Sequence, residues 1–135
     1  MKRLFLDANV LFTAAHNPAG KAALVIECAG LGQWGVITSR LAVEEARRNL
    51  ERKYPSCLSH LEQLLSVIEV VNGSDGTKCP IELPAKDRPI FEAAMMAGAS
   101  HLLTGDTKHF GACMNKPEET FGINVQTVAD FLNGL

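Results

Sequence analysis

The sequence lacks most of the features that assign a chain at sight. Its four cysteines, Cys28, Cys57, Cys79 and Cys113, are widely spaced and include no Cys-x-x-Cys pair, so zinc-ligand spacing is excluded. They are expected to be buried free thiols in a reducing cytoplasm. No apolar run approaches the about 20 residues that a bilayer span requires. The start, Met1-Lys2-Arg3 followed by a very short apolar stretch before Asp7, does not read as a signal peptide, so a cytoplasmic location without membrane contact is expected. No charge of one sign dominates: 13 Lys and Arg face 15 Asp and Glu, for a formal net charge of -2. A polycation is excluded, and any nucleic acid must be held by a local basic patch or by metal ions. Repeats, low-complexity tracts and Ser/Gly linkers are also missing, so residues 1–135 are expected to form one domain around one core.

What is present is a regular alternation. Short apolar runs at residues 3–6, 34–38, 67–71, 101–104 and 123–125 read as buried strands. Helical patterns fill the intervals at residues 9–15, 21–31, 40–53, 56–66 and 127–132, with a further helix opening at Asp87 and a short helical turn at Asp106. Gly32 and Gly98 are placed as stops, Thr38 and Ser39 offer a cap for the helix at 40–53, and Pro89 suits a first helical turn. Residues 72–84, with Gly73, Gly76, Pro80 and Pro84, read as a loop. Strands alternating with helices predict a three-layer α/β/α fold around a central parallel sheet of four to five strands. Functional residues in such sheets gather at the carboxyl ends of the strands, where strand order reverses.

The acidic residues fall at such places. Asp7 follows the first strand, Asp106 lies just beyond the fourth, Asp87 opens the helix leading into the fourth, and Glu45 lies in the second turn of the helix after the second. Each Asp also precedes a helix, where a capping role is the ordinary one, and Glu45 stands in a charged run that is solvated by default. If the four converge, a cation is required, because two carboxylates about 4 Å apart repel by roughly 4 kcal/mol at an effective dielectric near 20. Mg²⁺ or Mn²⁺ suits a cluster of hard oxygen donors, and phosphodiester hydrolysis is the natural chemistry of such a centre.

In order and spacing, four segments and the ending resemble the PIN-domain family (the VapC-like and PilT N-terminus-like metal-dependent ribonucleases). The segments are Phe5-Leu6-Asp7-Ala8-Asn9-Val10-Leu11, Ser39-Arg40-Leu41-Ala42-Val43-Glu44-Glu45 with Leu50, Lys86-Asp87-Arg88-Pro89-Ile90 with Ala93-Ala94, and Leu102-Leu103-Thr104-Gly105-Asp106. The ending is Gly122-Ile123-Asn124-Val125 followed by Ala129-Asp130-Phe131-Leu132. The resemblance covers nearly the whole chain. It implies a Mg²⁺ or Mn²⁺ centre, single-strand-directed ribonuclease activity, an RNA substrate, an antitoxin protein as partner and a homodimer. Carried over by position, Asp7, Asp87 and Asp106 would bind the metal, with Glu45 as the helix-borne acid, while Asn9 and Thr104 would support the site. Two departures stand out. Glu44 and Glu45 are adjacent and point about 100° apart, so only one can face the site; the spacing to Leu50 favours Glu45. Some relatives carry a further acid two residues after the Asp106 position, where this chain has Lys108.

Among the cations, Arg40 opens the helix nearest the acids and is expected to contact substrate phosphate; Lys108 is expected to do the same or to pair with Asp106 and weaken metal binding. Arg47, Arg48, Arg52 and Lys53 could track an RNA backbone, but a solvated face paired with Glu44 and Glu51 is the expected reading. His109 is expected to pack or touch substrate rather than bind metal, and His16, His60 and His101 show no partner pattern. Trp34 is expected in the core or an interface. Two rivals remain: a PIN-like module that binds RNA or a protein without cleaving, and a phospho-accepting receiver domain. The latter should carry adjacent acids after its first strand, where Asp7 stands alone.

Overall fold

The apolar runs form five short strands that join one all-parallel sheet in the computed structural model, which describes residues 1–73 and 79–135. The strands are β1 (Arg3–Leu6), β2 (Gly35–Ser39), β3 (Glu69–Val71), β4 (His101–Leu103) and β5 (Asn124–Gln126), in the order β3-β2-β1-β4-β5. Phe5 of β1 stands between Ile37 and Leu102, and Leu103 pairs with Gln126. Leu4, Phe5 and Leu6 are buried, as a central strand covered on both faces requires. Helices α1 (Ala8–His16), α2 (Lys21–Gly30), α3 (Arg40–Lys53), α4 (Leu58–Leu65), α5 (Arg88–Met96), α6 (Thr107–Phe110) and α7 (Val128–Asn133) flank the sheet, giving the expected three-layer α/β/α architecture. Among the described residues, no helix is long and apolar enough to cross a membrane.

Local chemistry sets the boundaries. Ser39 caps α3 by accepting the Ala42 amide at 3.2 Å. Thr38 does not cap; its hydroxyl donates to the Leu6 carbonyl at 2.8 Å and ties β2 to β1. Within α3, Ala42, Val43, Ala46 and Leu50 form the buried stripe, spaced as one helix face demands. Gly32 and Gly98, with φ of 85° and 68°, end α2 and α5 in the left-handed region that glycine enters without steric cost. Strand β3 is shorter than the run at 67–71, because the amides of Val67 and Ile68 are already used, donating to Leu64 and Leu65 carbonyls at the end of α4. The helix expected at 56–66 divides into a 3-10 turn, Pro55–Cys57, and α4. Trp34 lies outside β2 but in the core, its Nε1 donating to the Val25 carbonyl at 3.0 Å.

Two expectations need correction. All four cysteines are free but half-buried rather than enclosed. Arg47 pairs with Glu62 of α4 at 2.6 Å, not with Glu44 or Glu51, because α3 packs against α4. Gly76, placed in the 72–84 loop, lies outside the described residues.

The chain steps from β1 outward to β3, then crosses β1 to lay down β4 and β5. Strand order therefore reverses at β1, and a crevice opens at the carboxyl ends of β1 and β4. A receiver domain has the order 2-1-3-4-5; the observed order excludes it.

Candidate metal centre

Asp7 ends β1 with its amide donating to the Leu103 carbonyl of β4 at 3.0 Å, so the two strand ends are joined before any side chain takes part. Asp7 Oδ1 accepts the Ala8 amide at 2.7 Å and Oδ2 accepts the Thr104 hydroxyl at 2.8 Å. Thr104 Oγ1 in turn accepts the Asp106 amide at 3.0 Å. Asn9 Oδ1 accepts the Gly105 amide at 2.7 Å, while its Nδ2 lies 3.4 Å from both Asp7 Oδ2 and Thr104 Oγ1. A Cβ at Gly105 would stand 3.3 Å from Asn9 Oδ1, tight enough to disturb that bond. Asn9 and Thr104 thus clamp the turns after β1 and β4 together.

Asp7, Glu45, Asp87 and Asp106 all line one cavity of about 400 Å³. Glu45, Asn49, Arg52 and Lys53 of α3 line it together, being spaced at i, i+4, i+7 and i+8 on one helix face. Glu44 is exposed to solvent and does not line it. Asp87 precedes α5 and is buried. Its backbone is already helical (φ -95°, ψ -16°) and its side chain makes no capping bond. Asp106 does cap: its Oδ1 accepts the His109 amide at 3.1 Å. Capping and convergence are therefore not alternatives for Asp7 and Asp106, each of which does both.

The electrostatics are those of crowded acids. Burial pushes the Asp7 carboxyl above its ordinary value, aided by Glu45 and Asp87 and opposed by the bonds from Thr104 and Ala8. Burial likewise raises Asp87, with Asp106 adding to the rise and His109 and Lys86 opposing it. His109, expected to pack or touch substrate, stands beside two of the acids. His109 Nδ1 lies 2.8 Å from Asp106 Oδ2 and 3.0 Å from Asp87 Oδ2. The one clue was its place three residues after Asp106, within one helical turn.

The cations fall differently from expectation. Arg40 and Lys108 are exposed and do not line the cavity; Arg52, Lys53 and Lys86 do. Arg40 is five residues from Glu45, about 140° around the helix, which turns it from the acid face. Lys53 Nζ also lies 5.7 Å from the ring centre of Phe12, another lining residue.

The donor set fits a divalent cation. Four carboxylates line one cavity; of these, Asp87 and Asp106, with His109, place ligand-type atoms within 4.8 Å of one another, and Asp7 and Glu45 do not join that group. Asp87 Oδ2 and His109 Nδ1 are buried yet make no hydrogen bond, although each is close to an oppositely polarised atom. Buried polar atoms are normally satisfied, and a divalent cation would satisfy these.

A family model described as PIN domain matches residues 3–108. Among solved structures, the crystal structure of VapBC2 from Rickettsia felis bound to a DNA fragment from their promoter is similar to this chain. Its TM-score is 0.64 at 15% sequence identity, covering 93% of this chain and 98% of that chain; at this identity the likeness is one of fold. No curated protein matches the sequence.

Proposed function

The chain belongs to the PIN-domain family, and from that premise we propose that it is a Mg²⁺- or Mn²⁺-dependent endoribonuclease that hydrolyses phosphodiester bonds in single-stranded RNA. The observation that carries this reading is the meeting of Asp7, Glu45, Asp87 and Asp106 in one cavity at the switch point of the sheet.

Asp7, Asp87 and Asp106 would hold the ion. When bound, it supplies charge neutralisation on the phosphate and lowers the pKa of water. Glu45 reaches the cavity from α3 and would orient the attacking water and accept its proton. Asn9 and Thr104 would keep the Asp7 carboxylate in place, as outer-shell partners do. Arg52, Lys53 and Lys86 supply the cavity's positive side and would hold the flanking phosphates; Arg40 and Lys108 would touch only RNA extending beyond it.

The reading extends to the toxin of a toxin–antitoxin pair acting as a cytoplasmic homodimer. It is supported by the family and by the fold shared with VapBC2. A short, charged partner gene beside this one would support the pairing.

The test is cleavage of end-labelled single-stranded RNA with Mg²⁺ or Mn²⁺ and with chelator. The Asp7→Asn variant should lose on the order of 100-fold or more in rate while keeping its fold, because Asn caps a helix as well as Asp does. Undiminished cleavage by that variant would remove Asp7 from the mechanism. RNA binding by the wild type without metal binding or cleavage would favour the non-cleaving module.

A further inference from the structure

His109 stands beside Asp87 and Asp106, behind the cavity that those two acids line, and has no role in the reading above. It belongs to α6, whose four residues are pinned at both ends: Asp106 Oδ1 holds the His109 amide, and Phe110 is wholly buried. Lys108 faces solvent and His109 turns inward. The ring is therefore placed by the fold rather than by chance contact.

The ligand-type atoms of Asp87, Asp106 and His109 all lie within 4.8 Å of one another. Nδ1 is 2.8 Å and 3.0 Å from its two carboxylate neighbours. Neighbouring donors at right angles around an ion at about 2.1 Å stand about 3 Å apart, so this spacing suits donors to a shared cation. A second observation points the same way. Asp87 is only 6% exposed, and its Oδ2 and the facing Nδ1 have no hydrogen-bond partner. Their approach is close without the alignment of a hydrogen bond.

We propose that His109 ligates the divalent ion through Nδ1, forming with Asp87 and Asp106 a mixed nitrogen–oxygen subsite that prefers a transition ion such as Mn²⁺ or Co²⁺ to Mg²⁺. This rests on the reading of the cavity as a divalent-metal centre. An ion bound between these atoms would take the Nδ1 lone pair, with the ring N–H then on Nε2. Imidazole is a good ligand for first-row transition ions, whereas Mg²⁺ takes hard oxygen donors and keeps its waters. His109 thus sets which ion the site selects.

The experiment is calorimetric titration of the metal-free chain with Co²⁺, Mn²⁺ and Mg²⁺, for the wild type, His109→Ala, His109→Gln and Asp7→Asn, with melting curves to verify folding. Pulsed electron paramagnetic resonance of the Mn²⁺-loaded wild type and His109→Ala reads the ligand directly. Both His109 variants should lose about tenfold or more in Co²⁺ affinity, with Mg²⁺ affinity changed about twofold at most. Nitrogen coupling to Mn²⁺ should be present in the wild type and absent in His109→Ala. Unchanged or tighter Co²⁺ binding by folded His109 variants, or no nitrogen coupling in the wild type, would overturn the proposal. In the first case His109 is a counter-ion that the metal displaces. Binding lost in Asp7→Asn but intact in the His109 variants overturns this inference alone; no divalent binding by the wild type overturns the metal centre with it.

Discussion

Thr104 shows at the residue scale how one hydroxyl can hold a site together. It donates to Asp7 and accepts from the Asp106 amide, and it is wholly buried. Thr104→Val keeps the shape but leaves the Asp7 carboxylate and the Asp106 amide each short of a partner. The expected result is a loss of about 1–3 kcal/mol in stability by chemical denaturation, together with a fall in Mn²⁺ affinity of about tenfold or more by calorimetry. Asp7 and Asp87 yield a pH prediction. Both are raised in the folded state, so the folded chain binds their protons more tightly than the unfolded chain. That contribution to stability is whole below the unfolded value of about 3.9 and is lost as pH rises through the folded values. A divalent ion held by the ionised carboxylates would offset the loss. The gap between melting temperatures with Mn²⁺ and with chelator should therefore widen from about pH 4 to about pH 7; an equal gap at both ends would contradict it. The residue scale was also where the sequence was least legible. Asp7, Glu45, Asp87 and Asp106 could be picked out by their places at strand and helix ends. The closeness of His109 to these acids could not, because Asp87, which precedes α5, meets it only in the folded chain.

Among the elements, α3 is the most informative. A single heptad-like spacing divides it into a core stripe of Ala42, Val43, Ala46 and Leu50 and a cavity stripe of Glu45, Asn49, Arg52 and Lys53. The same spacing tells Glu45 from Glu44. It also relocates the positive charge, since Arg40 precedes the cavity stripe and Arg52 and Lys53 end it. Arg52 is further held by Asn49 Oδ1 at 2.8 Å. Replacing Arg52 and Lys53 together with Ala should weaken single-stranded RNA binding and lower the slope of log affinity against log salt by about 1.4, with Mn²⁺ affinity intact. Arg40→Ala should change the slope far less. Filter binding at several salt concentrations reads both; an equal effect of Arg40→Ala would place the RNA path across the start of α3 instead. The existence and order of strands and helices were readable from apolar runs and caps. Their ends were not, as β3 shows, because the amides of Val67 and Ile68 close the turn after α4 rather than extend a strand.

The whole molecule gathers four of its acids at one edge. A formal net charge of -2 gives no general attraction for a polyanion, yet Arg52, Lys53 and Lys86 stand on the same cavity as the acids. The sheet order makes this possible, bringing the ends of β1 and β4 side by side although nearly 100 residues separate Asp7 from Thr104. That juxtaposition was legible as a class of fold, through alternation and the parallel-sheet rule. The cavity's cationic lining was not, because it depends on which face of α3 and which end of the loop before α5 meet across the crevice. Crystals grown with Mn²⁺ and measured for anomalous scattering would test the shared ion. A difference peak about 2.2 Å from carboxylate oxygens of Asp7, Asp87 and Asp106 is the expected result. Well-ordered crystals in millimolar Mn²⁺ with no peak in that cavity, or with ions only elsewhere, would contradict it.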